Sequence, residues 1–338
     1  MAAGSTGPRR GLTPPRERLE GDELDARRRE LVARWGPWRH HNIDLGGGVY
    51  TMGDDAPGQQ VRLPAIVQVA TDLLATPLDR ARVLDLAAHE GLFAVEFARR
   101  GAGVLAVEIR EEHVEKAAFA RDALGLDRLE VRRDDVRNVT VERYGEFDLV
   151  LCLGILYHLD AAAAFELVDR MAALCTRVAI IDTHFSLEPT DPFVHRGATY
   201  RGRSIWEHDP ASTPDERVRA HGASFDNPES VWLTKPSLFN LLRRAGFSSV
   251  LEVRVPRPQF GAWDRTLLAA VKGIPQEQVL AAPSLDVGAA VEPDWPEEEA
   301  RRVSLAQTRL GRVRHVMARA LPVAIRRAYR RRRVTTRR

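Results

Sequence analysis

Five short apolar segments alternate with helical patterns between residues 82 and 182, and this alternation constrains the fold more than any other feature of the chain. A strand followed by a helix and then by a second strand returns the chain in the same direction, which builds a parallel sheet with helices packed on it. The predicted strands are 82–86, 103–108, 129–132, 147–153 and 177–182. The sequence therefore predicts a doubly wound α/β domain.

Two more strands are expected beyond this unit. Residues 235–245 have helical spacing and stop at Gly246, while 249–255 and 266–272 have the composition of strands. These segments bring the predicted sheet to seven strands and extend the central domain over residues 65–272, with a first helix near 65–74.

The segments around the sheet differ in composition. Residues 1–19 are rich in Gly, Pro, Ser, Thr and Arg, which predicts a disordered lead, and 20–64 are interpreted as an N-terminal helix and a lid. Residues 185–233 show little periodicity and are too long for an ordinary loop, so we interpret them as a substrate insertion. A linker at 273–300 and an Arg-rich, partly helical tail at 301–338 complete the predicted organisation.

The net charge of +3 combines an acidic body with a basic tail. Residues 301–338 contain 14 Arg and no acid, which leaves 36 basic against 47 acidic residues in the rest of the chain. Nucleic-acid affinity depends on clustered basic groups, so the acidic body argues against a broad phosphate-binding surface on the main domain. RNA or an anionic surface would therefore have to bind the Arg-rich tail.

The two cysteines and the length of the apolar segments indicate where the protein is located and which kinds of site and segment it lacks. Cys152 and Cys175 stand in apolar contexts, which predicts buried core residues and neither a disulfide framework nor a zinc site. No segment has the apolar run of a signal peptide or the roughly 20 apolar residues of a membrane span, so we expect a cytoplasmic location.

Acidic residues lie at the ends of the first three predicted strands. Ligands of doubly wound sheets bind at the carboxyl edge, where Asp85 ends the first strand and Glu108 the second. At that position Glu108 can accept hydrogen bonds from ribose hydroxyls. Asp135 can accept from an adenine amino group while Val136 packs on the ring, whereas Asp134 is interpreted as a surface charge.

The fourth strand has the most specific pattern, FDLVLCLGILYHLD at residues 147–160. Together with Asp85 and Glu108, it resembles the class I S-adenosylmethionine-dependent methyltransferases. The resemblance implies a Rossmann-like, mostly parallel seven-stranded sheet with a terminal antiparallel hairpin, and S-adenosylmethionine as cofactor. The residues that it places around the cofactor are Asp85, Ala87, His89, Gly91, Glu108, Asp135, Val136 and Leu153.

The loop after the first strand departs from the family pattern. The usual Gly-x-Gly-x-Gly is replaced by Ala87, His89 and Gly91, so only the last glycine remains. A histidine ring at position 89 means either that the loop bends differently or that the ring points away from the cofactor. This departure also motivates a different hypothesis, a non-catalytic partner protein that kept the fold.

A nicotinamide dehydrogenase is the rival that shares the fold, Asp85 and Glu108. It fits less well, because a dinucleotide needs a glycine-rich loop for its pyrophosphate and Glu90 adds negative charge there. A cationic sulfonium tolerates acidic neighbours. The charge pattern therefore favours S-adenosylmethionine.

Two histidines follow strands at the edge where an acceptor would bind. Methyl transfer from a sulfonium is an in-line displacement, and an oxygen acceptor of high pKa also needs a general base. His158 and His184 are the candidates, with Asp182 near enough to orient His184. The predicted substrate contacts are Trp38, His41, Tyr157, Trp206, Trp232 and Lys235, and His40 is a further candidate for the lid.

The methyl acceptor is predicted at the level of a class. GILYHL and SVWLTKPSLFNLLRRAGFSSVLEV resemble the tRNA wobble-uridine methyltransferase-like group, which also includes bacterial members acting on small metabolites. The acidic body favours O-methylation of a sugar, polyketide or related metabolite, and tRNA modification through the Arg-rich tail is the alternative. Asp160 and Asp182 would be the metal ligands of a metal-dependent enzyme, but no paired-acid motif follows them and no metal is expected.

Overall fold

The computed structural model describes residues 18–53, 62–253 and 264–273. The predicted lead up to residue 17, the linker from 274 and the Arg-rich tail lie outside these ranges. The N-terminal part contains the two predicted helices and a short antiparallel hairpin. These elements are α1 (Gly21–Trp35), β1 (Asp44–Gly46), β2 (Val49–Tyr50) and α2 (Leu63–Leu73).

The predicted alternation of strands and helices follows. All five strands pair in parallel, and the structure lengthens the fifth at both ends. The strands are β3 (Arg82–Leu86), β4 (Gly103–Glu108), β5 (Leu129–Arg133), β6 (Phe147–Leu153) and β7 (Cys175–His184). The helices are α3 (Leu92–Arg99), α4 (Glu111–Ala123), α5 (Val141–Tyr144) and α6 (Ala161–Leu174).

The insertion at 185–233 is more regular than its composition indicated. It forms a separate three-stranded antiparallel sheet, which its low periodicity did not indicate. Backbone hydrogen bonds such as Val231 N–H to Leu159 O, 2.9 Å, attach it to the segment between β6 and α6. Its elements are β8 (Asp191–His195), β9 (Ala198–Trp206), α7 (Pro214–Arg219) and β10 (Glu229–Leu233).

The chain then returns to the central sheet. Helix α8 (Lys235–Arg244) leads to β11 (Ser249–Val253), and β12 (Arg265–Val271) pairs antiparallel with both β11 and β7. The sheet order is β11-β12-β7-β6-β3-β4-β5. The predicted seven-stranded, mostly parallel sheet with a terminal antiparallel hairpin is confirmed.

The sheet is covered on both faces because alternate side chains of each strand point to opposite sides. On β6, Val150 and Cys152 join one buried apolar cluster, while Leu149 and Leu151 join the other. Cys152 and Cys175 are buried free thiols, as predicted. Apolar layers on both faces explain why the central strands are continuous hydrophobic runs.

The position of the functional site follows from strand β3. It pairs with β4 on one side and with β6 on the other, so the chain order reverses beside it. Loops that leave the carboxyl ends of β3 and β6 turn to opposite faces and leave a crevice between them.

Gly91 allows helices α3 and α4 to approach each other closely. It precedes α3 with a φ of 89°, and a Cβ atom there would lie 2.8 Å from Ala117 Cβ and 3.2 Å from Ala117 Cα on α4. Both the left-handed backbone and the contact exclude a side chain.

We therefore expect Gly91→Ala to lower the free energy of unfolding by about 2–4 kcal/mol, the sum of backbone strain and overpacking. Gly47→Ala is the control, because Gly47 also has a positive φ, 62°, but a Cβ there would meet nothing within 4 Å. Urea denaturation of both variants measures the difference. Equal losses would show that the contact with Ala117 is not significant.

Candidate functional site

A cavity of about 590 Å³ occupies the crevice at the carboxyl edge of the sheet. The ends of β4, β5 and β6 line it together with the loop after β3, the N-terminal segment and the insertion. Most of the predicted site residues are brought together here. Those that line the cavity are His41, Ala87, His89, Glu108, Asp135, Val136, Leu153, Tyr157, His158, His184, Trp206 and Trp232.

The loop after β3 keeps a left-handed backbone without the glycines that favour it. Ala87 has a φ of 55° and His89 a φ of 52°, alongside 89° at Gly91. Left-handed conformations cost non-glycine residues about 1–2 kcal/mol each. The loop therefore has the left-handed backbone that glycine favours at all three positions of the family pattern, although two of these positions carry side chains.

The His89 ring packs among other histidines at the wall of the cavity. Its centroid lies 3.8 Å from that of His113 and 5.1 Å from those of His40 and His41. Burial, followed by the neighbouring His113 and His41, lowers the pKa of His89 well below its usual value. The ring is therefore neutral, and its buried Nδ1 has no hydrogen-bond partner in the described part of the chain.

Glu90 anchors the N-terminal segment to this loop. Its fully buried carboxylate accepts hydrogen bonds from the backbone N–H groups of Arg39, 2.9 Å, and His41, 3.0 Å, and lies 3.5 Å from Lys116 Nζ. The sequence analysis treated Glu90 only as a negative charge beside the cofactor and missed this role. Its partners lie 26 to 51 residues away along the chain, so no local pattern signals them.

Two predicted substrate residues lie outside the cavity. Trp38 is buried against Phe119, with ring centroids 5.7 Å apart, because the anchored segment packs it into the core. Lys235 lies at the start of α8, where its Nζ forms an ion pair with Glu252 at 2.7 Å. Trp38 and Lys235, predicted as substrate contacts, therefore do not line this cavity.

Glu108 lies at the cavity wall, as expected. Its carboxylate accepts hydrogen bonds from the backbone N–H groups of His89, 2.8 Å, and of Ile109 and Arg110, both 2.9 Å. Burial by itself raises the pKa of Glu108, but interactions with His113 and with these N–H groups lower it below its usual value overall. The group is a fixed carboxylate whose remaining lone pairs can accept from hydroxyls.

Asp135 lines the cavity and also forms an ion pair that the sequence did not predict. Oδ1 accepts from the backbone N–H of Arg137, 2.8 Å, and Oδ2 from its guanidinium, 2.6 Å. Oδ1 keeps a second lone pair, so the contact with an adenine amino group stays a prediction. The neighbouring Asp134 is not a free surface charge either, since it accepts from the Tyr144 hydroxyl and pairs with Arg143 at 2.9 Å.

Asp85 is buried at the end of β3, behind the cavity wall. Its Oδ2 has no hydrogen-bond partner among the described residues, and burial raises the pKa of the carboxyl to about 8. A buried carboxyl without a cationic partner stays protonated near neutral pH.

The opposite end of the cavity contains two histidine–carboxylate pairs. His184 Nδ1 lies 3.0 Å from Asp264 Oδ1, and His158 Nδ1 lies 3.1 Å from both carboxylate oxygens of Glu207. The ring of Tyr157 lies between the two histidines, with centroids 4.3 Å from His158 and 4.6 Å from His184. Each histidine therefore has an orienting acid at Nδ1.

Asp182 does not orient His184, contrary to the prediction. Its carboxylate is buried between two guanidinium groups, in contact with Arg62 and 2.6 Å from Arg265 Nε. Asp264 and Glu207, which do orient the histidines, lie 80 and 49 residues from their partners along the chain. Asp160, the other acid considered for a metal, instead caps α6 by accepting from Ala163 N–H at 2.9 Å.

Aromatic side chains form the walls at this end. The Trp232 ring stacks on His184 with centroids 4.6 Å apart and an interplanar angle of 17°. The Trp232 indole N–H donates to the Tyr157 carbonyl at 3.2 Å, which fixes the wall to the end of β6. Trp206 lies at the mouth and is 60% exposed.

Histidine and carboxylate groups come together in two places among the described residues. His41, His89 and Glu90 form one group, and Glu112, His113 and His221 form the other. Within each group the possible ligand atoms lie within 4.8 Å of one another. In the first group His41 Nδ1 already accepts a hydrogen bond from Leu92 N–H at 3.2 Å.

Comparison with known proteins associates this architecture with methyl transfer. Residues 83–177 match a family model described as a methyltransferase domain. Ubiquinone biosynthesis O-methyltransferase of Xanthomonas oryzae pv. oryzae is 34% identical over 120 residues, 35% of this chain and 50% of that protein. The protein of the same name in Xylella fastidiosa is 31% identical over 122 residues, 36% of this chain and 48% of that protein. The chain thus matches about half the length of these relatives.

A solved structure shares the fold over a larger part of the chain. The N-terminal domain of EvdMO1, solved in the presence of SAH and D-fucose, has a TM-score of 0.56 at 23% identity. The match covers 75% of this chain and 98% of that domain.

None of the helices in the described ranges is long and apolar enough to cross a membrane.

The burial of Asp85 predicts a pH dependence of stability. Because its folded-state pKa of about 8 exceeds the unfolded value, the folded protein retains a proton that the unfolded chain releases. Relative to Asp85→Asn, the stability of the ligand-free wild type should fall as pH rises from about 4 to 8, by at most about 1.4 kcal/mol per pH unit.

Urea denaturation of the two proteins at pH 5, 6 and 7 checks this expectation. Asp134→Asn is the control, because the pKa of Asp134 is lowered overall and its stability contribution should be constant over this range. A difference between wild type and Asp85→Asn that does not change with pH would contradict the assignment.

Proposed function

We propose that this class I S-adenosylmethionine-dependent methyltransferase transfers the methyl group of its cofactor to a hydroxyl of a small metabolite, such as a sugar or polyketide. The observation that carries the proposal is that one cavity joins two unlike halves. One half has fixed carboxylates and apolar side chains, and the other has two histidines, each oriented by an acid.

The first half fits S-adenosylmethionine. Ile109, Val136 and Leu153 offer apolar surface for an adenine ring, and Glu108 offers a carboxylate for ribose hydroxyls. The unpartnered Nδ1 of His89 lies in the same region. The carboxylate of Glu90 precedes α3, where a dinucleotide would need its pyrophosphate bound, so a nicotinamide cofactor fits less well.

The second half supplies what an oxygen acceptor needs. The cofactor provides an electrophilic methyl group, and the hydroxyl that attacks it must lose its proton. With Asp264 or Glu207 accepting from Nδ1–H, the free Nε2 of His184 or His158 takes that proton. The carboxylate then stabilises the imidazolium that forms.

The walls of this half suit a compact, hydroxylated acceptor. Tyr157 and Trp232 present aromatic surface beside His184, as is common where small ligands bind. The relatives named above are O-methyltransferases, and the N-terminal domain of EvdMO1 was solved with the sugar D-fucose present. Transfer to tRNA is the alternative, and the Arg-rich tail on which it depends lies outside the described residues.

Binding and turnover measurements test the proposal. We expect S-adenosylmethionine to bind the full chain in a calorimetric titration and NAD not to bind. Incubation with methyl-labelled cofactor and separate panels of sugars, phenolic metabolites and bulk tRNA then identifies the acceptor class by mass spectrometry. Absence of cofactor binding would refute the proposal. Methyl label found only in tRNA would show that tRNA, and not a small metabolite, is the acceptor.

The histidine that acts as base can be identified by substitution. We expect His184→Ala to reduce turnover by about 10²–10⁴-fold, the usual contribution of a general base, while cofactor affinity stays within about threefold. Asp264→Asn should reduce turnover less, because Nε2 remains and only its orientation is lost.

Two further variants complete this series. His158→Ala tests the second pair. The histidine whose substitution lowers turnover more is the base. His195→Ala is the control, since His195 forms a comparable pair with Asp169, 2.8 Å, away from the cavity. Turnover unchanged in both His184→Ala and His158→Ala would show that neither histidine is the base.

A further inference from the structure

Three possible metal ligands from distant parts of the sequence converge beside the cofactor half of the cavity. Glu112 and His113 lie in the first turn of α4, and His221 follows α7 in the insertion. Glu112 Oε1 lies 3.0 Å from His113 Nε2 and 3.2 Å from His221 Nδ1. None of these residues belongs to the proposed methyl-transfer machinery.

The short distances are not explained by hydrogen bonds. Glu112 is 12% exposed at its side chain, yet its Oε1 is a buried oxygen that has no hydrogen-bond partner among the described residues. A buried carboxylate oxygen in this condition costs free energy. Three donor atoms that approach one another without bonding are arranged as ligands of a common ion would be.

We propose that Glu112, His113 and His221 bind a divalent transition-metal ion, with zinc as the ion that suits this donor set best. Zinc binds imidazole nitrogen and carboxylate oxygen at about 2.0–2.2 Å, which places tetrahedral ligands about 3.3 Å apart. The two observed separations, 3.0 and 3.2 Å, are close to that value. Water completes the coordination, because His221 is partly exposed.

The surroundings of His113 fit a metal-bound imidazole. When Nε2 binds the ion, the ring proton resides on Nδ1, which is buried and lies 3.7 Å from Glu108 Oε1. In the described part of the chain this nitrogen has no hydrogen-bond partner. Ligating histidines commonly donate their other N–H to a carboxylate. Here that carboxylate also lines the cavity, so the ion would help to fix Glu108.

The ion would fasten the insertion over the cavity. We define the cap loop as residues 220–228, of which 222–227 line the cavity. The contacts that already hold this loop include a hydrogen bond from Arg110 to the Ala220 carbonyl at 3.2 Å and an ion pair of Arg137 with Asp226 at 2.6 Å. A metal at His221 adds a further contact at the start of the loop, independent of the methyl acceptor.

Zinc titration of the full, chelator-treated protein tests the site. We expect about one zinc ion per chain in wild type, and affinity at least about tenfold lower in His221→Ala and in Glu112→Gln. His195→Ala, which removes a histidine from a different carboxylate pair, should bind as wild type does. His315, outside the described residues, is present in every protein and cancels in the comparison.

Hydrogen exchange supplies a readout that does not depend on the variants. In wild type, zinc should slow hydrogen exchange of the amides of the cap loop and of the first turn of α4. Zinc should also raise the Tm of wild type but not that of His221→Ala. Equal zinc affinity in wild type and both ligand variants, or no change in cap-loop exchange on adding zinc, would overturn the proposal. Neither measurement requires methyl transfer, so the outcome is separate from the test of the proposed function.

Discussion

The parallel pairing of β3 with β4 on one side and β6 on the other determines where every functional side chain lies. Because the chain order reverses at β3, the loops after β3 and β6 diverge and leave a crevice between them. The acidic strand ends of one half and the histidines of the other meet across that crevice. The aromatic walls beside these histidines then depend on a second sheet, which is bonded to the segment between β6 and α6 through residues such as Val231.

Residues at strand ends were predictable from the sequence, and their partners were not. Glu108 and His184 follow apolar strands, and the carboxyl ends of parallel strands must share one edge, so their meeting follows from topology. Asp264 and Glu90 act through contacts 80 and about 50 residues distant, which no local pattern encodes. The choice of Asp182 as the partner of His184 assumed that nearness in sequence decides, whereas two guanidinium groups bind that carboxylate.

The insertion shows why periodicity fails for some strands. Strand β8 alternates partly buried with exposed residues, as a half-covered strand should, but its exposed positions include Val194, which is 72% exposed. Strand β9 carries Arg201 and Arg203, so an apolar template misses it. The strands of the insertion gain stability from pairing with one another and from contacts with α6, α8 and the turn that follows β6, rather than from their own composition.

The left-handed backbone at Ala87 and His89 has a consequence for the entropy of ligand binding. A side chain restricts the conformations open to the unfolded chain and to a mobile loop far more than glycine does. A loop that reaches the required bend with Ala and His has therefore lost much of its freedom during folding, before any ligand arrives. Less ordering remains to be done on binding, which increases affinity without an additional contact. The strain of the two residues is the corresponding cost, and it falls on the stability of the fold.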